Sequence, residues 1–192
     1  MAMFEKNYTK PHRFLCITDQ PDGIRCETLA MPLDLDFNYR RLWLFSKEAA
    51  EQIGGRIFHI DLDVVITRNL DSYLDRPEPF VVMHDPMFQE QEYSSSYILD
   101  MGSRTDIWES FDPETSPAVK QEWFQGNGKD VGSDQAWICY CLRNEDPPTF
   151  IQHRARLVGK NLPDDVYIVH FPANPKPWTK EAEDMYPWVN GL

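Results

Sequence analysis

The run Phe58-His59-Ile60-Asp61-Leu62-Asp63-Val64-Val65-Ile66 sets two carboxylates one residue apart inside an otherwise apolar segment. The apolar residues read as a buried strand, and a buried carboxylate needs a partner because stripping water from a charge is costly. Two readings follow. Either the strand has ended and the acids stand in solvent, or they face a divalent cation. As hard oxygen donors they suit Mg²⁺ or Mn²⁺, which keep waters and phosphate oxygens in their remaining positions. Asp34-Leu35-Asp36 has the same spacing but follows Pro32 with no apolar run, and reads as a solvated loop.

Charge narrows the partners. With 31 Asp and Glu against 19 Lys and Arg the chain carries a formal net charge of −12. Such a surface excludes a protein that tracks nucleic-acid phosphates, which needs a clustered basic face. It leaves room for one basic pocket around a phosphorylated small molecule. The 192 residues suit one well-packed domain. Cys16, Cys26, Cys139 and Cys141 contain no C-x-x-C pair and read as free thiols, mostly in the core. Met1 to Arg13 has no long apolar stretch and no later segment is long enough to span a bilayer, so no transmembrane segment and a cytoplasmic location are expected.

Along the chain, residues 1–12 read as a loose polar tail. Phe14 to Ile17 reads as a short strand stopped by Thr18-Asp19-Gln20-Pro21-Asp22-Gly23. Leu42 to Ile53 has helical spacing and ends at Gly54-Gly55. Strands are expected at Arg56 to Asp61, Phe80 to Met83, Ser95 to Met101 and Val166 to Phe171, and a turn or short helix at Asn69 to Leu74. Helix faces are expected around Ile107-Trp108-Phe111 and Trp123-Phe124, a flexible loop at Gly126-Asn127-Gly128, and a helix from Ser133 to Leu142 with Ser133 or Asp134 as its cap. From Pro172 onward the density of Pro and Trp predicts irregular chain. Strands alternating with helices point to an α/β protein. The expected organisation is one domain over residues 13–178 between a tail at 1–12 and a tail at 179–192.

A second element supplies possible partners for the acids. His170 closes the last strand and opens His170-Phe171-Pro172-Ala173-Asn174-Pro175-Lys176-Pro177-Trp178. A neutral imidazole completes a carboxylate metal site. A lysine held between two prolines is suited to gripping a diphosphate. Taken singly, a histidine on an apolar strand also serves as a satisfied core residue, and a Pro-Trp tail as packing. His59 alternates with Asp61 and Asp63 and reads as a core histidine or a support for them. Asp85 ends a strand and could bind sugar hydroxyls or stand in a loop. Trp178 could stack on a ligand or close the core.

Taken in order, P-H-R-F-L-C-I-T-D-Q-P-D-G-I, then Arg41-Leu42, G-R-I-F-H-I-D-L-D-V-V-I-T-R-N-L-D, S-D-Q-A-W and H-F-P-A-N-P-K-P-W resemble the glycosyltransferases of the nucleotide-diphosphosugar (GT-A) fold, nearest the glycogenin-like, family-8 group and its bacterial or phage relatives. The resemblance implies a single-domain, three-layer α/β/α sandwich with a mixed sheet. It implies that Asp61, Asp63 and His170 hold Mn²⁺ or Mg²⁺ against the diphosphate of a sugar nucleotide, a UDP-sugar above all. Lys176 would bind the same phosphates, and Arg41 would stand near the nucleotide or the first aspartate. Asp134 and Gln135 would line the sugar and acceptor side as the catalytic pair. Ser94, Ser95 and Ser96 would lie below the donor sugar. The acceptor would be a glycan, a lipid or a protein, and transfer would retain anomeric configuration.

Two departures stand beside the resemblance. The first strand and helix of such relatives, which build much of the nucleoside pocket, have no counterpart before Lys10, so a truncated or minimal form, a weakly gripped base or a second chain completing the pocket is expected, a homo-oligomer among the options. Tyr93-Ser94-Ser95-Ser96 also lacks an expected asparagine. Two alternatives therefore accompany the transferase: a non-catalytic sugar-nucleotide-binding module, and a haloacid-dehalogenase-like phosphatase in which Asp61 is the nucleophile and Asp63 the acid/base, with Gly159-Lys160 and Asp164-Asp165 in its later motifs.

Overall fold

The computed structural model describes residues 1–31, 35, 38–84, 93–127 and 133–191. The chain opens with helix α1 (Ala2–Asn7), then strands β1 (Leu15–Ile17) and β2 (Glu27–Leu29), a 3-10 segment (Tyr39–Phe45) and helix α2 (Lys47–Ile53). Strands β3 (Arg56–His59) and β4 (Val64–Ile66) flank the two acids, and helix α3 (Asp71–Leu74) leads to β5 (Phe80–His84). After β6 (Tyr93–Asp100) come helices α4 (Thr105–Glu109), α5 (Ser116–Asn127) and α6 (Ser133–Cys141). Strands β7 (Thr149–Ile151) and β8 (His153–Arg154), helix α7 (Ala155–Val158), β9 (Ile168–His170), α8 (Lys180–Met185) and a 3-10 turn (Pro187–Gly191) complete it.

The protein is a mixed α/β structure, and its described strands are distributed over three sheets rather than the one expected. β1 and β2 pair in parallel. A four-stranded sheet runs β3-β6-β5-β7, with β5 and β7 parallel and the other pairs antiparallel. A three-stranded sheet runs β4-β9-β8. Because side chains alternate along a strand, β5 and β6 divide between two cores. Phe80, Val82, Tyr97 and Leu99 meet Leu42, Trp43, Phe45, Ile107, Trp137 and Ile138 on the helical side. Val81, Met83 and Ile98 meet Ile66, Leu70, Leu74 and Ile168 on the other side. The apolar letters Phe80 to Met83 of β5 and Tyr97 to Leu99 of β6 reflect burial on two faces.

The run from Phe58 to Ile66 is not one strand. β3 is an edge strand that ends at His59, and β4 begins at Val64 in a different sheet. Asp61-Leu62-Asp63 makes the crossing between the two sheets, outside both strands. Leu62 there is 92 % exposed. The face-sharing expected of His59, Asp61 and Asp63 therefore lapses, and the His59 ring instead stacks on Tyr97 at 4.7 Å.

The predicted helix over Leu42 to Ile53 is divided at Ser46, whose Oγ accepts from Ala49 N at 3.0 Å and caps α2. Gly54 ends that helix at φ 65°, a left-handed conformation that glycine adopts without a side-chain clash. Gly126 and Asn127, read as loop, fall within α5. Both tails are part of the packed body. α1 buries Asn7, and Met3, Phe4 and Tyr8 pack beside Ile66 and Leu70. Thr179 caps α8, whose Ala182 joins Tyr186, Phe171 and Val169 in a third core. The expectations of a loose start and an irregular end are thus corrected, because side chains of α1 and α8 pack into cores shared with the three-stranded sheet. Among the described residues no helix is long and apolar enough to cross a membrane.

Candidate metal centre

Antiparallel pairing of β4 with β9 builds the site. Val64 stands opposite His170, and the ladder extends one step, with Phe171 N donating to the Asp63 carbonyl at 2.9 Å. This register brings a residue of the crossing segment beside one more than a hundred positions later. Asp63 lies in the turn ahead of β4, so strand alternation does not fix its side-chain direction. Its Oδ1 lies 3.3 Å from His170 Nε2. Its Oδ2 accepts from Lys176 Nζ at 2.5 Å, and the same ammonium donates to the Phe171 carbonyl at 2.9 Å.

Asp61 is held from the opposite side. Arg41, in the 3-10 segment, donates from Nη1 to Asp61 Oδ1 at 2.9 Å. Its Nη2 donates to Asp134 Oδ1 at 2.9 Å and its Nε to Asp134 Oδ2 at 2.8 Å. A planar guanidinium suits this fork, because two parallel donors match the two oxygens of one carboxylate. Asp134, in the first turn of α6, is buried with 4 % of its side chain exposed. Burial pushes its carboxyl above the usual aspartate range, while Arg41 and the backbone N–H of Gln135 pull it back.

Asp61, Asp63 and His170 each offer a ligand atom, and these atoms lie within 4.8 Å of one another. Two donors on one ion stand at most roughly 4–5 Å apart, twice a metal–oxygen distance of about 2.0–2.6 Å. The three groups therefore fit a single small divalent cation, and two carboxylates with one imidazole are a donor set for Mn²⁺ or Mg²⁺. Burial lowers the His170 imidazole below its usual range, partly opposed by Asp63 and Asp61. The lowering favours the neutral ring, the form in which its nitrogen can ligate.

The sequence-predicted residues divide as follows. Asp61, Asp63, His170, Lys176, Arg41 and Asp134 are joined by the contacts above. Gln135 follows Asp134 on α6 and is half-buried. Ser96 is buried on β6. Asp85, the side chains of Ser94 and Ser95, and both acids of Asp34-Leu35-Asp36 lie outside the described residues. Trp178 does not close the core: it is 66 % exposed. Tyr97 and Arg154 were missed. Tyr97 is buried on β6, and its hydroxyl is pushed well above the usual range by burial and by the nearby Asp134 charge. Arg154 pairs in register with His170 from β8. No sequence signal marked Arg154, since β8 has two residues and no apolar run. The chain matches no protein-family model and no curated protein.

Proposed function

We propose that this protein is a metal-dependent glycosyltransferase of the GT-A type, moving a sugar from a nucleoside-diphosphate sugar, a UDP-sugar in the first instance, to an acceptor. The observation that carries the reading is the convergence of Asp61, Asp63, His170 and Lys176, two carboxylates with an imidazole and an ammonium drawn from distant segments. The sugar-transfer chemistry itself rests on the resemblance of the ordered motifs.

Breaking the anomeric C–O bond leaves a nucleoside diphosphate, so charge develops on the leaving oxygens. A Mn²⁺ or Mg²⁺ ion held by Asp61, Asp63 and His170 would supply Lewis-acid stabilisation of that charge. Lys176 adds a positive charge beside Asp63. Arg41 orients Asp61 and is itself anchored by Asp134. With both oxygens occupied by Arg41, Asp134 is placed to support the site rather than to attack the sugar. Gln135 is a weak nucleophile, which favours front-face attack by the acceptor over a covalent intermediate. The phosphatase alternative gains no support from its later motifs: Asp164 is fully exposed and paired with Arg68. A second chain at the nucleoside pocket and a cytoplasmic site of action are parts of this proposal.

Incubation with a panel of sugar nucleotides and Mn²⁺ tests it. Slow, metal-dependent release of nucleoside diphosphate, lost in Asp63→Ala, is expected. Metal-dependent binding without any turnover would instead favour the non-catalytic module, and phosphate release from phosphate esters would favour the phosphatase.

A further inference from the structure

Lys176 is paired with Asp63 in this structure. Its ammonium spans Asp63 Oδ2 at 2.5 Å and the Phe171 carbonyl at 2.9 Å. Its backbone is fixed as well, because Thr179 donates to the Lys176 carbonyl from N at 3.0 Å and from Oγ1 at 2.8 Å. Pro175 and Pro177 stiffen both flanks. The backbone is therefore an anchor, while the four-carbon stem gives the ammonium the reach to change partners.

The two cations of the site differ in what else they hold. Arg41 touches Asp61 through one nitrogen and keeps Asp134 through two others. It can yield at Asp61 and remain paired. Among the described residues, the other acceptor of Lys176 is a neutral carbonyl. A divalent ion taking Asp63 would set a like charge within a few ångströms of that ammonium. Both side chains are partly buried, Lys176 at 28 % and Asp63 at 20 % exposed, so solvent screens the repulsion less than at an open surface. Two negatively charged phosphates then become the better partner.

We propose that Lys176 is an exchangeable counter-cation, neutralising Asp63 until a divalent ion takes that carboxylate and then turning to the diphosphate, so that metal and diphosphate each strengthen the binding of the other. The exchange rests on the metal–diphosphate reading above. Linkage makes the effect reciprocal: whatever factor the diphosphate adds to metal affinity, the metal adds to diphosphate affinity.

Calorimetric titration of Mn²⁺ into wild type and Lys176→Met, with and without saturating UDP and corrected for the Mn²⁺–UDP complex, tests the exchange. In wild type, UDP should tighten Mn²⁺ by at least about fivefold, within the usual range of such couplings. Lys176→Met should bind Mn²⁺ alone about five- to tenfold tighter than wild type and lose most of the coupling to UDP. Lys176→Arg, which keeps the charge, should retain the coupling. Equal or weaker binding of Mn²⁺ alone by Lys176→Met overturns the exchange, and weaker binding would mean that the lysine holds Asp63 in place for the metal. No Mn²⁺ binding by wild type under any condition overturns the metal–diphosphate reading as well. Should Lys176→Met fail to fold, the Lys176 ammonium resonance of wild type decides: it should shift when Mg²⁺ and UDP are added, and an unmoved signal under saturation overturns the exchange.

Discussion

Arg41 closes on Asp134 as a fork, with Nη2 2.9 Å from Oδ1 and Nε 2.8 Å from Oδ2, and so ties the start of α6 to the 3-10 segment that also reaches Asp61. Removing the cation leaves a carboxylate that is 4 % exposed without its partner. Arg41→Met should cost about 3–5 kcal/mol of folding stability. Asp134→Asn should cost less, about 1–2 kcal/mol, because Arg41 is 32 % exposed and can recover water. The double variant should fall short of the sum of the two single effects, as expected for residues in direct contact. Urea denaturation of the four proteins checks this.

The same pair predicts a pH dependence. Burial raises the folded-state pKa of Asp134 above its unfolded value, and Arg41 opposes the rise. A carboxyl raised in this way contributes stability that is full below the ordinary aspartate value of about 4 and is lost as pH climbs through the folded value. Without Arg41 the folded value rises further, so the loss grows and extends upward. The stability gap between wild type and Arg41→Met should widen from about pH 4 towards pH 7, and the widening should vanish in the Asp134→Asn background. A gap independent of pH would contradict the buried pairing.

Cys141 offers a chemical check on the packing around α6. Burial pushes its thiol to about 11, against a weak opposing contact with Ser110 Oγ at 3.9 Å. The nucleophile is the thiolate, and at pH 8 a thiol of this kind is ionised in only about one molecule in a thousand. Iodoacetamide at pH 8 should leave Cys141 unmodified in the native protein and label it in urea, as read by peptide mass spectrometry. Rapid native labelling would contradict the burial.

The N-terminal helix should matter to stability. The Asn7 amide donates to the Met3 carbonyl at 2.9 Å and to the Ile66 carbonyl at 3.4 Å, and Leu70 N donates to the Asn7 carbonyl at 2.7 Å. Asn7→Ala should cost about 1–3 kcal/mol, the usual cost of leaving buried polar groups without partners. Deleting residues 1–9 should lower the thermal midpoint by more, since Met3, Phe4 and Tyr8 pack beside Ile66 and Leu70. Unchanged melting of the deletion would show that the segment is as loose as its polar letters suggest.

That contrast marks where the sequence was legible. β5 is legible because burial on both faces leaves a continuous apolar run, β6 through Tyr97 to Leu99 behind its small polar serines, and α6 because its apolar content is bounded by a turn. The candidate site is legible in its residue types, Asp61, Asp63, His170 and Lys176, and the β4–β9 register sets Asp63 beside His170. Division of Phe58 to Ile66 between two sheets was not legible, because the apolar pattern runs across the crossing and pairing partners lie far away in sequence. α1 and α8 are short, and packing rather than propensity holds them. β2, β7 and β8 have three, three and two residues, too few for a period to show. The burial of Asp134 under Arg41 depends on a contact across 93 residues, which no local pattern carries.

The central claim is that Asp61, Asp63 and His170 form one divalent-cation site against which a nucleoside diphosphate binds. Calorimetry with Mn²⁺ and UDP on wild type, Asp63→Ala and His170→Ala tests it most directly. Wild type should bind one Mn²⁺ per chain in the presence of UDP, and each variant should lose that binding while keeping its fold by circular dichroism. Equal binding by wild type and Asp63→Ala, or no metal-dependent binding by wild type with any nucleotide, would contradict it.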